Sequence, residues 1–148
     1  MTSQPAASTP DSFRSVELTK IGTNRFKATN ARGGETYFGT GGEDPDFTPV
    51  EMLLAAIAGC SAIDVDLIAG KRATSDSFRV TASGDKVRDE QGQRLVNLSV
   101  TFTVTYPDGE AGDGARAVMP RALEQTRDRL CPVSRTVALG EPVAFHQA

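Results

Sequence analysis

The sequence predicts a single domain that mixes helices with β-strands, and three observations carry that expectation. Residues 94–106 alternate apolar and polar side chains over a long stretch of strong β composition. Residues 48–68 form an apolar run framed by helix start and stop signals. The 148 residues, 39% of them hydrophobic, are enough for one core, and no internal repeat or linker divides them.

Residues 1–12 contain no aromatic side chain and are expected to be a disordered tail, leaving a domain over 13–148. Phe13 to Leu18 alternates as a half-buried strand does. Residues 24–28 and 36–38 suit two further strands, joined across Arg32, Gly33 and Gly34, and residues 39–47 form a loop rich in glycine and acid. Thr48, Pro49 and Glu51 then supply an N-cap, a proline at the first helical position and a capping-box glutamate. The helix they open is predicted to run to about Ile68, with Gly70, Lys71 and Arg72 as its stop. Its first half is almost wholly apolar, so burial on most sides is expected, with a sheet on one side and another subunit or domain on the other.

Residues 77–87 and 94–106 are two long strand candidates with a hairpin loop at 89–92. The pattern places Val96, Leu98, Val100, Phe102, Val104 and Tyr106 on one face. A turn at 107–109 leads to a helix from about Asp113 to Leu130, kinked at Pro120. A short helix over 131–139 and a last strand from Pro142 to His146 complete the reading.

Charge and hydropathy exclude some classes of partner. The net charge of −3 gives no electrostatic draw toward nucleic acid. The longest apolar stretch, 52–63, is short for a bilayer span, so no membrane partner is expected. The opening residues lack the charged-then-apolar pattern of an export signal. A cytoplasmic location is expected, where a disulfide is transient or catalytic.

The chemistry-bearing residues are two cysteines seventy-one positions apart. Cys60 lies in the helix among Ala58, Gly59 and Ser61. Either it is a small buried hydrophobe, or those small neighbours leave room for a substrate to approach its sulfur. Cys131 precedes Pro132, which biases it toward extended backbone and suits an N-cap. Its thiolate would then face free amides at the positive end of a helix, with Arg135 one turn on. Alternatively, Cys131 only ends one helix and starts the next. Two cysteines and one histidine, His146, do not make a four-ligand structural zinc site, so no metal is expected. Asp64 and Asp66 point to different helix faces and are expected to be solvated or ion-paired. No phosphate-binding loop or dinucleotide fingerprint is present, and no cofactor is expected.

The helix opening with Pro49, Glu51, Met52, Leu53, Leu54, Ala55 and Ala56, with a cysteine eleven residues after the proline, resembles the OsmC/Ohr family. So do the later Cys131, Pro132, Val133 and Ser134 at the start of a short helix, and the order of elements over residues 13–147. The run from Cys60 through Ser61, Ala62, Ile63 and Asp64 to Val65 is similar to the OsmC-like branch of that family. The resemblance implies an α+β fold with antiparallel sheets and a central buried cysteine helix, assembled as an intertwined homodimer with two active sites at its interface. It implies a cysteine-based thiol peroxidase that reduces organic hydroperoxides and protects against oxidative or osmotic stress. Cys60 would then be the peroxidatic thiolate, Cys131 the resolving thiol, and a cellular thiol or dithiol the reductant. Arg32 best matches the family's active-site arginine, with Arg25 in reserve. The family's peroxidases carry a glutamate immediately after the helix-opening proline. Here Val50 stands there and Glu51 follows, turned by about 100° on a helix. Glu51 either replaces that glutamate or only caps its helix. The displacement favours a second reading, a thiol–disulfide sensor or ligand-binding protein with weak turnover. A third is a structural dimer with core cysteines.

Overall fold

A computed structural model describes residues 11–148; most of the tail expected over 1–12 lies outside the described residues. The chain forms two compact units, one ending at Val50 and one running Glu51–Ala148.

The first unit is a three-stranded antiparallel meander, β1 Val16–Gly22, β2 Arg25–Asn30 and β3 Glu35–Phe38, in that spatial order. All three predicted strands exist, although β1 starts and ends later than the expected 13–18. Pairing sets its limits: Val16 faces Asn30, and Ile21 is an extra residue that shifts the register before Gly22 meets Arg25. Asn24, at φ 54°, makes the tight turn. The β2–β3 turn is held by Asn30, whose side-chain oxygen accepts from the amides of Arg32 (3.0 Å) and Gly34 (2.9 Å). After β3, Phe38 bridges to Phe47, and the amide of Gly39 donates to the Phe47 carbonyl. Val16, Leu18, Ile21, Phe26 and Tyr37 of this sheet are exposed in the chain.

The second unit holds α1 Pro49–Ala69, the hairpin β4 Ser77–Asp89 and β5 Gly92–Thr105, α2 Glu110–Gln125, a π-helical segment Thr126–Leu130, and α3 Pro132–Leu139. Helix α1 matches its predicted span to within a residue. Its buried residues, Ile57, Ser61, Val65 and Ala69, recur every four positions and form one stripe. The expected burial on most sides is not met within the chain: Ile63 and Leu67 are each 64% exposed. The apolar character also extends past 52–63. The helix, with a mean hydropathy of 1.9 over an 18-residue window, is long and apolar enough to cross a membrane by length and composition, a property core helices share.

The β4–β5 hairpin carries one irregularity that changes its faces. Ser83 pairs with Ser99 and Asp85 with Val96, so β5 spends one more residue than β4 across that step. Asn97 takes it up at φ 54°. Leu95, opposite Lys86, therefore joins the face of Ala82 and Val100. Val96, expected on that face, moves to the other one with Asp85. Tyr106 leaves the strand into a core cluster with Ala69 and Ala115, and its hydroxyl donates to Met119 Sδ at 3.6 Å.

Helix α2 begins at Glu110, three residues before the expected start, behind Gly109 at φ 109°. Pro120 lies inside it, and the helix widens to a π turn only at Thr126. The last predicted strand, 142–146, does not form. A strand needs a neighbour to bond, and this segment finds none among the described residues; Phe145 is 91% exposed.

Candidate functional site

The two cysteines meet in the second unit. Cys60 projects from the middle of α1 and remains partly exposed, whereas Cys131 is fully buried at the junction between the π segment and α3. The junction geometry follows from local sequence. The amide of Cys131 donates to the Thr126 carbonyl (3.0 Å), the bond that closes the π turn. Pro132 forces Cys131 into extended backbone, φ −79° and ψ 104°, and opens α3. Cys131 is the N-cap, and its sulfur accepts from the Ser134 amide at 3.3 Å. Ser61, beside Cys60 in sequence, donates its hydroxyl to the Ile57 carbonyl (2.8 Å) and lies 3.9 Å from Cys131 Sγ.

Asp64 joins this pair. It sits one turn beyond Cys60 on the same face of α1, and the two sulfurs and a carboxylate oxygen all lie within 4.8 Å of one another. Asp64, expected to be solvated or ion-paired, keeps only part of its side chain in contact with solvent. Its Oδ2 is buried without a hydrogen-bond partner, and none of the ion pairs among the described residues includes it. The residues with metal-ligand chemistry are therefore Cys60, Asp64 and Cys131.

The surroundings push the two thiols apart in acidity. Burial, then the hydrogen bond with Cys131, then the negative charges of Cys131 and Asp64 push the Cys60 thiol up to about 11, against a lowering contribution from the Val133 amide. Burial also opposes ionisation of Cys131. There, hydrogen bonds from Cys60, from the side chain and amide of Ser134, and from Ser61 outweigh it, and the thiol is held below its ordinary range. Within the chain, Cys131 is the better thiolate and Cys60 the proton donor to it.

Space opens beside the pair. An added Cβ at Gly59 would meet nothing within 4 Å, on an exposed face of α1 turned about 100° from Cys60. Ser61 and Ser134 line a cavity of about 620 Å³ with Phe102 and Thr126, whose Oγ1 is buried without a partner. A second pocket of about 260 Å³ is mostly apolar, walled by Leu54, Ile57, Ala82 and Val137. Both include Leu98, Val100 and Ser134.

The remaining candidates belong to other elements of the chain. Glu51 is in the first turn of α1, about 13 Å of helix before Cys60. Arg32 is exposed in the β2–β3 turn of the first unit. Arg25, at the start of β2, bonds Asp44 at 2.6 Å and also pairs with Asp46. Sequence reading missed the roles of Ser61, Asp64 and Ser134. The spacing of Asp64 four residues after Cys60 was the available signal, but its burial and its approach to Cys131 arise only in the folded chain.

Known proteins resemble this one in both sequence and fold. An uncharacterized protein of Mycobacterium tuberculosis is 28% identical over 125 residues, 84% of this chain and 88% of that one. The crystal structure of an OsmC-like protein from Mycoplasma pneumoniae superposes with a TM-score of 0.66 at 15% identity, over 87% of this chain and 89% of that chain. That of an organic hydroperoxide resistance protein OsmC from Legionella pneumophila does so with a TM-score of 0.53 at 16% identity, over 86% and 91%. The two superpositions carry the fold: α+β, with antiparallel sheets and three helices. The profile of OsmC-like proteins matches residues 41–145, a span that contains both cysteines and every group around them, and the chain belongs to the OsmC-like protein family.

Proposed function

We propose that this protein is a cysteine-based reductase of organic hydroperoxides, acting as a homodimer in the cytoplasm with a thiol or dithiol as electron donor. The observation that carries this reading is the meeting of Cys60 and Cys131 as free thiols beside an apolar pocket. The Legionella relative's description as a hydroperoxide resistance protein agrees with it. The exposed apolar residues of α1 and of the first sheet support a partner subunit.

Cys60 is the attacking sulfur because it is the accessible one. The Cys131 thiolate takes its proton, and the Cys60 thiolate then attacks the distal oxygen of the hydroperoxide. The O–O bond breaks, the leaving alkoxide takes from solvent the proton that Cys131 released on ionising and becomes an alcohol, and Cys60 becomes a sulfenic acid. Cys131 attacks that sulfur, the disulfide forms, and the hydroxyl leaves as water. The sum is two thiols and one hydroperoxide giving one disulfide, one alcohol and one water. Arg32, with Arg25 in reserve, is assigned the task of holding the thiolate.

The test is to add one equivalent of cumene hydroperoxide to reduced protein, count free thiols and weigh the intact chain. Rapid loss of both thiols with loss of two hydrogens is expected. In Cys60→Ser, peroxidase activity should vanish; in Cys131→Ser, one oxidation per chain should remain. Full turnover by Cys60→Ser would sink the assignment. A second reading, a thiol–disulfide sensor with little turnover, is favoured by Val50 in place of the glutamate and by the raised Cys60 thiol. Oxidation that is complete but slow, with no sustained consumption of hydroperoxide, would select it.

A further inference from the structure

We infer that Cys60, Asp64 and Cys131 form a three-ligand site for a single zinc-class divalent cation, and that an ion bound there holds the thiol pair reduced. The inference shares the cysteines with the peroxidase reading but does not depend on hydroperoxide turnover.

Geometry comes first. Two turns of one helix supply Cys60 and Asp64, and the cap of another supplies Cys131, so the ligands converge from different backbones on one point. Their donor atoms lie within 4.8 Å of one another. Around a tetrahedral zinc, with bonds of about 2.3 Å to sulfur and about 2.0 Å to oxygen, such atoms sit roughly 3.5–3.8 Å apart. Closing the remaining gap is an adjustment on the order of 1 Å, within reach of side-chain rotation.

The carboxylate is the second argument. A buried anionic oxygen without a hydrogen-bond partner costs free energy that a cation or a proton relieves. None of the ion pairs among the described residues includes Asp64, and both sulfurs lie within 4.8 Å of its carboxylate. A divalent cation would take the place of the Cys60 proton and offset the charges of two thiolates and a carboxylate held close together.

Ligand type selects the ion. Thiolates favour zinc and copper(I), and the added hard carboxylate favours the divalent ion. Three protein ligands leave a fourth position open, the arrangement of exchangeable zinc sites rather than closed structural ones. Ser61 and Ser134, both against Cys131, border the cavity from which water can fill that position.

The chemistry balances simply. Each protonated thiol that binds gives its proton to solvent. With both sulfurs held as ligands, neither is free to attack an oxidant or its partner. Once the cation dissociates, a hydroperoxide can oxidise the pair: two thiolates become a disulfide, their two electrons cleave the O–O bond, and two protons from solvent complete the alcohol and the water.

Cobalt(II) tests the site, because its thiolate charge-transfer and tetrahedral d–d bands are visible. Titrated into the reduced, full-length protein, it should produce both bands, saturating at one ion per chain, and zinc should bleach them. Asp64→Asn should weaken binding by about tenfold or more while the free-thiol count and circular dichroism stay those of the parent protein. Zinc should also slow alkylation of both cysteines in the parent protein and protect far less in Asp64→Asn. Absence of charge transfer, or an Asp64→Asn variant that binds as tightly as the parent, would overturn the inference. A protein that fails to reduce hydroperoxides yet binds cobalt this way refutes only the peroxidase reading; an active peroxidase without cobalt binding refutes only this one.

Discussion

Replacing glycine by alanine at two positions of α2, Gly112 and Gly114, should move stability in opposite directions. Both lie in the same helix, and helix propensity alone favours alanine at each by up to about 1 kcal/mol. The surroundings differ. A Cβ at Gly114 would come no closer than 3.9 Å, to the aliphatic part of Arg72, which is ordinary contact. A Cβ at Gly112 would lie 1.7 Å from the carbonyl oxygen of Pro107. That carbonyl is fixed backbone, and it also accepts from Arg116 Nη2 at 3.3 Å. Real Cβ contacts essentially never fall below 3.0 Å, so Pro107 and the first turn of α2 must separate by about 1.3 Å or more. Overpacking of this kind costs about 1–3 kcal/mol, more than the propensity gain offsets. Gly112→Ala should therefore lower Tm by about 2–8 °C and Gly114→Ala raise it by up to about 4 °C. Thermal and urea unfolding of the two variants beside the parent protein reads the difference. A Gly112→Ala protein as stable as its parent would refute the close approach of Pro107 to α2.

Ser134→Ala and Ser61→Ala each remove a hydrogen bond that favours the Cys131 thiolate, so each should raise the pH at which Cys131 ionises, followed by NMR of labelled cysteine Cβ; an unchanged titration in both would remove them from the site. Asp44 is held below the usual carboxylate range by the Asp46 amide and by Arg25. A depressed carboxylate contributes stability above its unfolded pKa and loses it as pH falls through the folded value. Asp44→Asn should therefore destabilise near neutral pH and become indistinguishable from the parent in strong acid, seen by urea unfolding at both pH values. Arg32→Ala should slow hydroperoxide consumption more than Arg25→Ala; the reverse order would transfer the thiolate-holding role to Arg25.

Local pattern and long-range meeting explain what was legible in the sequence. Helix α1 announces itself through Thr48, Pro49 and Glu51, and the β4–β5 hairpin through alternation, because each signal is written within a few neighbouring residues. The capping role of Cys131 was legible for the same reason, since Pro132 dictates its backbone. Val96 was misplaced because period-two counting cannot see that Asn97 bulges out of register. The strand expected at 142–146 has the right alternation, but alternation does not supply a partner. Asp64 looked like any surface acid, because what distinguishes it is the sulfur of Cys131, sixty-seven residues away in sequence.

The first turn of α3 serves two masters. Its Ser134 amide donates to Cys131 Sγ, and its Val133 amide favours the thiolate of Cys60, so one helix end eases charge on sulfurs borne by two separate backbones. A disulfide is a far poorer acceptor than a thiolate. Closing the bond therefore leaves both amides looking for water, and the start of α3 becomes the place where the electron count of the pair is written into the main chain. Deuterium uptake at Val133 and Ser134 would then act as a clock for that state, faster when the sulfurs are joined and slower when they are not.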